Sequence, residues 1–382
     1  MKVCVVGLGK AGLPLASVIA ESGIDVIGID IDSKRCEDIN NGINPIPEEP
    51  ELNDLIPKLG GSKLKCFNNY EDAKECSAYI VIVPLFINED KVPDLSIIRN
   101  AVENVAKILD DGDLVVLETT VPPKTTETFV KGLLDEAHKD YYLAYSPERI
   151  MTGYSVSRYR EFPKVVGGIN KESGEKAYSL YQLFCKKVDL VSNSRTAEMI
   201  KVSEGVYRDA NIAIANELYK VSEELNVDFY EVREYANHQY CNIHLPGNVG
   251  GHCIPVYPWF LINDFEVPVI EKAREVNDEM IVYYANKLKV KEGKVLVLGL
   301  TYRENVKELA YTRSIPMIKL LKDRGYEVFV NDPMYSKEEI EELGYNYSDD
   351  FNVDGIILMN KCFVEELLSI KEKVVDVKGA LK

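Results

Sequence analysis

The sequence predicts an α/β protein, with two doubly wound units joined by a long central helix and a helical middle region. Three observations point there. Lys2–Val6 is a β-branched apolar run that breaks into Gly7-x-Gly9-x-x-Gly12. From Thr196 to about Leu225 a helical pattern runs with no Pro and a single Gly, Gly205. At Lys294–Gly299 a second strand-to-glycine signal returns.

Each element has its own reason. After Gly12, Leu13–Ser22 carries apolar positions at helical spacing, and Asp25–Asp30 reads as the next strand. Strand, glycine turn, helix and strand within thirty residues make a βαβ unit. Ala78–Val83 and Asp113–Leu117 read as buried strands, with a helix at Leu95–Leu109 between them. Tyr141–Tyr145 and Lys164–Gly167 are further strands of the same alternation, which predicts a parallel, doubly wound sheet. The middle reads as helices at Val227–Tyr235 and Val269–Leu288 around a Gly/Pro-rich loop, Pro246–Pro258. Helix Ile315–Arg324 and strands Tyr326–Val330, Gly355–Met359 and Val374–Val377 complete a smaller second α/β unit. The expected division is 1–193, 194–288 and 289–382.

Composition narrows the function. The 382 residues carry 45 Lys and Arg against 62 Asp and Glu, a net charge of −17. A nucleic-acid binder carries a basic face, so that role is not expected. An anionic ligand needs a local cluster of cations and N–H groups working against the overall field. The eight cysteines, at 4, 36, 66, 76, 185, 241, 253 and 362, show no CxxC pair, and the four histidines form no HxxH. Reduced thiols in a cytoplasmic protein are expected, and no metal site. No apolar run reaches the ~18–20 residues of a membrane span.

Gly7-x-Gly9-x-x-Gly12 follows a strand and opens a helix. Gly7 permits the tight turn, Gly9 lets backbone approach a pyrophosphate, and Gly12 lets the helix pack on the sheet. The helix start, with Lys10 and Ala11, presents N–H groups to the diphosphate. Asp30, eighteen residues after Gly12, ends the next strand, where an acid accepts from the adenosine ribose and favours NAD over NADP. Arg35 complicates that preference, because an arginine also greets a 2′-phosphate. A glycine turn with no ligand is the plainer alternative. Cys253 sits in Val249-Gly250-Gly251-His252-Cys253-Ile254-Pro255, where small neighbours permit close ligand approach. It reads as a nucleophile if a cation stabilises its thiolate, or as one more inert thiol. Lys201 reads as a solvated helix lysine paired with Glu198 or Glu204. Thr120 and Glu148 each follow a predicted strand, where such sheets bind ligands, although a turn and a surface carboxylate would look the same.

Taken together these segments resemble the UDP-glucose/GDP-mannose dehydrogenase family, from Val3 to about Gly379. The carrying stretches are KVCVVGLGKAGLPLA, ETTVPPKTT, SPERIMTG, AEMIKVSEG, RDANIAIANEL, LPGNVGGHCIP and KVLVLGLTYRENV, in that order. RDANIAIANEL and GNVGGHCIPVYPWFL most resemble the branch acting on N-acetylated hexosamines, such as UDP-ManNAc or UDP-GlcNAc. The resemblance implies an NAD-binding domain, a central helix building a homodimer, and a UDP-sugar domain. It implies a four-electron oxidation at C6 through a thiohemiacetal and a thioester on Cys253. Lys201 matches the cation beside the developing oxyanion; Thr120 and Glu148 match residues organising water and substrate. Val83, Pro84 and Arg313 match cofactor positions, and Asn242, Gly250, Tyr302 and Arg303, with Glu148 and Lys201, match substrate positions.

The chain departs from the family pattern. Gly205 stands four residues after Lys201 where Asn is common, and Tyr257 four residues after Cys253 where Asp is common. Leu85-Phe86 replaces a Thr-Pro pair, and Lys124 a common Gly. His252, beside Cys253, is the expected source of the missing acid–base work, since its unperturbed pKa near ~6.5 suits it. Two other functions stay open on the residues alone: a two-electron β-hydroxyacid-type dehydrogenase and a non-catalytic sensor of NAD or a nucleotide sugar.

Overall fold

A computed structural model describes residues 1–381, and the chain divides into two compact units, 1–203 and 204 onward. In the first, eight strands form one sheet. The order across it is Val188–Leu190, Lys164–Gly168, Tyr142–Tyr145, Leu114–Leu117, Ala78–Val81, Lys2–Val6, Asp25–Ile29 and Leu64–Phe67. Six neighbouring strands, from Tyr142–Tyr145 to Leu64–Phe67, run parallel. Lys164–Gly168 is antiparallel to Tyr142–Tyr145, which corrects the expectation of an all-parallel sheet. Gly167 and Gly168 carry this edge; a Cβ at Gly168 would lie 2.1 Å from the Gly174 nitrogen of the helix Lys171–Tyr181.

The strands Lys2–Val6, Ala78–Val81 and Leu114–Leu117 are buried almost throughout, because helices cover both faces. Residues of opposite parity feed separate clusters. Val3, Val5 and Ile80 pack with the helix Gly12–Glu21 on one side, and Cys4, Val6, Tyr79 and Val81 with the helix Ser96–Ile108 on the other. The sheet therefore presents its carboxyl edge, where Gly7, Thr119 and Ser146 follow their strands, as the place for a ligand.

The long helix, Ser194–Glu224, begins in the first unit and continues in the second. Within the second unit it packs on the helix Pro268–Ala285 through a buried polar network. Arg274 donates to Asp209, Asn277 Nδ2 donates to Asp209 Oδ1 at 2.8 Å, and Asn216 Nδ2 to Asn277 Oδ1 at 2.9 Å. A five-stranded parallel sheet follows, ordered Asn346–Tyr347, Glu327–Asn331, Lys294–Leu298, Gly355–Leu358 and Val374–Asp376. Its order reverses direction at Lys294–Leu298 and Gly355–Leu358, so the crevice beyond Leu298 and Leu358 is a switch point. Among the described residues, no helix is long and apolar enough to cross a membrane.

Candidate active site

In the first unit the glycine turn has the shape a dinucleotide requires. Gly7 has φ +93°, and a Cβ there would lie 2.6 Å from the Ile82 carbonyl oxygen. A Cβ at Gly12 would meet the Gly7 carbonyl oxygen at 1.8 Å, so helix and turn touch backbone to backbone. Around Gly9 the space is open to 4 Å, which leaves room for a pyrophosphate above the first N–H groups of the helix. Lys10 lies 3.7 Å from Glu48, and Ala11 is half-buried at the helix start. Asp30 is buried; its Oδ2 accepts from the Leu8 N–H at 2.7 Å and its Oδ1 from the Asp32 N–H at 2.9 Å. Arg35 Nη1 reaches both oxygens at 3.1 Å. Beside them Ile31 is 95% exposed, an apolar surface fit for an adenine face. The residues present fit NAD.

Further along the same edge, Thr119 Oγ1 donates to the Val83 carbonyl at 2.7 Å, tying the Val83-Pro84 segment to the next strand end. Thr120 is buried on the same strand edge, beside Tyr145. Lys201 is not a solvated lysine. It is buried, with Nζ 3.0 Å from Glu148 Oε1 and donating to the Glu148 carbonyl at 2.6 Å. Burial pushes the Glu148 carboxyl up, but Lys201 and the Ile150 N–H outweigh it and hold the group below its usual range. Glu198, the expected partner of Lys201, turns elsewhere: it accepts from the Lys124 N–H, the Thr126 N–H and the Thr126 hydroxyl.

Two supports were missed in the sequence. Lys164 donates to Glu118 at 2.7 Å and to the Pro147 carbonyl at 3.1 Å, one residue before Glu148. Glu49 accepts from the Gly153 N–H at 2.7 Å and the Ser155 N–H at 3.0 Å, anchoring the loop that follows Glu148. Glu118 was visible as a charge inside a strand–turn signal, whereas nothing local marked Lys164 or Glu49.

In the second unit Cys253 lies on the irregular turn after Gly250 and Gly251, and it alone of the eight cysteines is exposed. Gly251 has φ +92°, and a Cβ there would sit 3.0 Å from two ring carbons of Tyr302. Gly250 faces the Tyr311 carbonyl oxygen and Arg313 in the same way, so both glycines are required by close approach. His252 Nε2 lies 3.5 Å from Glu308 Oε2, a carboxylate the sequence reading did not single out. Arg303 lies over the Tyr302 ring at 5.8 Å. Arg313 pairs with Asp278 at 3.1 Å. Asn242 is exposed in the loop before the cysteine turn. A small cavity of about 10 Å³, enough for one water-sized body, lies among Asn248, Gly250, Tyr302, Arg313 and Lys378. Lys378 Nζ donates to the Asn248 carbonyl at 2.7 Å, and burial pulls its pKa down to about 8.

Fold, glycine turn and acid at Asp30 define a dinucleotide-binding protein of the NAD type. The comparisons with known proteins specify it. Three consecutive parts match the NAD binding, central and UDP binding domains of one family, over residues 1–185, 195–279 and 296–377. The chain belongs to the UDP-glucose/GDP-mannose dehydrogenase family and is an NAD-dependent nucleotide-sugar dehydrogenase. UDP-N-acetyl-D-mannosamine dehydrogenase of Methanococcus maripaludis is 39% identical over 346 residues, 87% of this chain and 79% of that protein. The structure of UDP-D-ManNAc dehydrogenase from Pyrococcus horikoshii matches with TM-score 0.88 and 30% identity, covering 100% of this chain and 96% of that one. The UDP-N-acetyl-mannosamine dehydrogenase of Staphylococcus aureus matches with TM-score 0.84 and 30% identity, covering 100% and 95%.

Proposed function

We propose that this chain oxidises C6 of a UDP-N-acetylhexosamine, UDP-N-acetyl-D-mannosamine before others, to the carboxylate. The names of its relatives support the substrate class. The observation that carries the chemistry is Cys253, an exposed cysteine on the turn after two glycines that pack closely on Tyr302 and Tyr311.

The Gly7–Gly12 turn and Asp30 would hold NAD⁺, which would supply the hydride acceptor for each oxidation. The alcohol loses one hydride and one proton to give an aldehyde. The Cys253 thiolate adds to that carbon; the C–S bond forms and the carbonyl π pair moves to oxygen, which takes a proton. Loss of the second hydride and that proton leaves a thioester. Water adds, the C–S bond breaks and the thiolate leaves. In sum, one alcohol, two NAD⁺ and one water give one carboxylate, two NADH and three protons. Lys201 serves as the fixed cation for the developing oxyanion. Thr120 and Glu148 order water and substrate, and His252, oriented by Glu308, moves protons at the thioester. Tyr302, Arg303, Gly250 and Asn242 hold the UDP-sugar, and Arg313 reaches the cofactor. Covalent capture keeps the aldehyde in place between oxidations.

The working protein is a cytoplasmic homodimer in this reading, divided into NAD (1–193), dimerisation (194–288) and UDP-sugar (289–382) regions. Tyr207, Ile214, Leu218 and Val221 are exposed on the long helix, and Leu225 is exposed directly after its end. Their spacing of seven, four, three and four places them on one stripe suited to a helix partner. Replacing Leu218 and Val221 by Asp yields a monomer by light scattering; an unchanged mass overturns the helix assignment.

The catalytic test counts NADH per limiting UDP-N-acetyl-D-mannosamine. Two per sugar in the native enzyme, with Cys253→Ser reduced to a trace of that turnover, is expected. One per sugar would remove the thioester from the scheme.

A further inference from the structure

The two departures Gly205 and Tyr257 meet in space. A Cβ at Gly205 would lie 2.4 Å from Cδ2, 3.1 Å from Cγ and 3.2 Å from Cβ of Tyr257. No real side chain tolerates 2.4 Å, and these atoms belong to the stem and near edge of a ring that is only 6% exposed. The ring lies directly on the backbone of the long helix, in the volume a side chain at 205 would fill. Its other surroundings hold it there: Phe260, 1% exposed, has its ring centre 5.6 Å away.

Tyr257 is also bonded to the nucleophile's own residue. The N–H groups of Val256 and Tyr257 both donate to the Cys253 carbonyl, at 3.1 and 3.0 Å. On the other side, Gly251 rests on the Tyr302 ring. An exposed cysteine on an irregular turn thus stands between two contacts of a tyrosine ring with a glycine backbone, Tyr302 on Gly251 before it and Tyr257 on Gly205 after it. Reaction at a bound carbon demands such fixing, since about 1 Å of misplacement costs on the order of 10²-fold in rate.

We propose that Tyr257 is a positioning residue for Cys253 with Gly205 as its seat, so that the two positions can change only together. The ring acts through packing; its hydroxyl carries no proton in this assignment, which leaves that work to other groups. The inference rests on the thioester reading for its kinetic consequence and not for its structural one.

Four variants test it: Tyr257→Phe, Tyr257→Leu, Gly205→Ala and the double variant Gly205→Ala/Tyr257→Leu. Hydrogen exchange of the peptide spanning 250–258 needs no substrate. NADH per UDP-N-acetyl-D-mannosamine, with semicarbazide present to trap escaping aldehyde, reports capture by Cys253. Tyr257→Phe stays within about twofold of the native enzyme in both. Gly205→Ala speeds exchange of the Val256 and Tyr257 amides at least tenfold and drops the yield from two NADH toward one. Trimming the ring in the double variant recovers part of both losses, a reversal that simple destabilisation does not produce. The proposal is overturned if Gly205→Ala and Tyr257→Leu lower only the melting temperature and keep native exchange at 250–258 and two NADH. It is overturned equally if Tyr257→Phe fails as badly as Tyr257→Leu. A native enzyme that yields one NADH would sink the thioester reading, while the exchange data would still decide the positioning claim.

Discussion

Lys164 reaches across the sheet edge to Glu118, nitrogen to oxygen at 2.7 Å, with both side chains almost wholly buried. Burial pushes the Glu118 carboxyl up; Lys164 and the Tyr181 hydroxyl, which donates to it, oppose that. The same lysine holds the Pro147 carbonyl, so the pair fixes the backbone that carries Glu148. Lys164→Met leaves a buried carboxylate without its cation, and removing one partner of such a pair costs about 3–5 kcal/mol. Urea unfolding reads that loss. Lys164→Met/Glu118→Leu recovers much of it, because no charge is then stranded. A double variant as unstable as the single one would show that the ion pair itself is not the source.

Glu198 gives the fold a pH dependence with a definite sign. Burial raises its pKa to about 7, against three hydrogen bonds from Lys124 and Thr126. A carboxyl raised on folding binds more protons folded than unfolded between its two pKa values. Stability from this group therefore falls as pH rises from about 4.5 to about 7 and is flat above, by roughly 3 kcal/mol at ~1.4 kcal/mol per unit. Glu148, held low by Lys201, acts in the opposite sense: its contribution is lost only as pH falls below the usual carboxyl range. Glu198→Gln removes the slope between pH 4.5 and 7 and costs about 1–3 kcal/mol at pH 8, since its amide NH₂ faces an N–H donor. Melting curves across pH separate the two effects.

Much of this was legible in the sequence, for local reasons. Lys2–Asp30 announces itself because strand, glycine turn and helix each leave a pattern within a few residues. The long helix shows because thirty residues pass with one glycine. What was illegible depends on partners far along the chain. Nothing near Lys164 says that it pairs with Glu118, 46 residues away, nor near Glu49 that it caps Gly153 and Ser155. Lys201 looked like a helix lysine with i±3 acids, because spacing cannot show that Glu198 is already taken by Thr126. The antiparallel strand Lys164–Gly168 reads like its parallel neighbours, since burial, not direction, sets composition. Gly205 and Tyr257 read as two losses until their contact makes them one feature.

Cofactor choice turns on Asp30 and Arg35. The carboxylate takes two backbone N–H groups and both contacts from Arg35 Nη1, so the guanidinium is held directly beside the acid. With Asp30 present, a 2′-phosphate meets a negative charge. Asp30→Ser frees Arg35 for that phosphate. The expected result is a shift in relative kcat/KM toward NADP⁺ of about 10²-fold, which is ~2.7 kcal/mol at 1.36 kcal/mol per tenfold. Asp30→Ser/Arg35→Ala loses NAD⁺ without gaining NADP⁺. Gain of NADP⁺ in the double variant as well would assign the phosphate contact to another cation.

Lys124 occupies a backbone conformation meant for glycine. Its φ is +85°, in the left-handed region, where a Cβ costs an L-residue about 1–2 kcal/mol. The Lys124 N–H donates to Glu198 at 2.6 Å, so the strained backbone is held in place by the same carboxylate that orders Thr126. Glycine at this position removes the Cβ and keeps the N–H. The gain is reduced by the extra freedom glycine has when unfolded, roughly 0.5–1 kcal/mol. Lys124→Gly is expected to raise stability by about 0.5–1 kcal/mol. In Glu198→Gln, where the N–H loses its acceptor, the turn is no longer held and relaxes away from the strained φ, and Lys124→Gly helps less than it does in the native chain. A double-mutant cycle in urea measures the difference. Equal gains in both backgrounds would mean that Glu198 does not hold the turn.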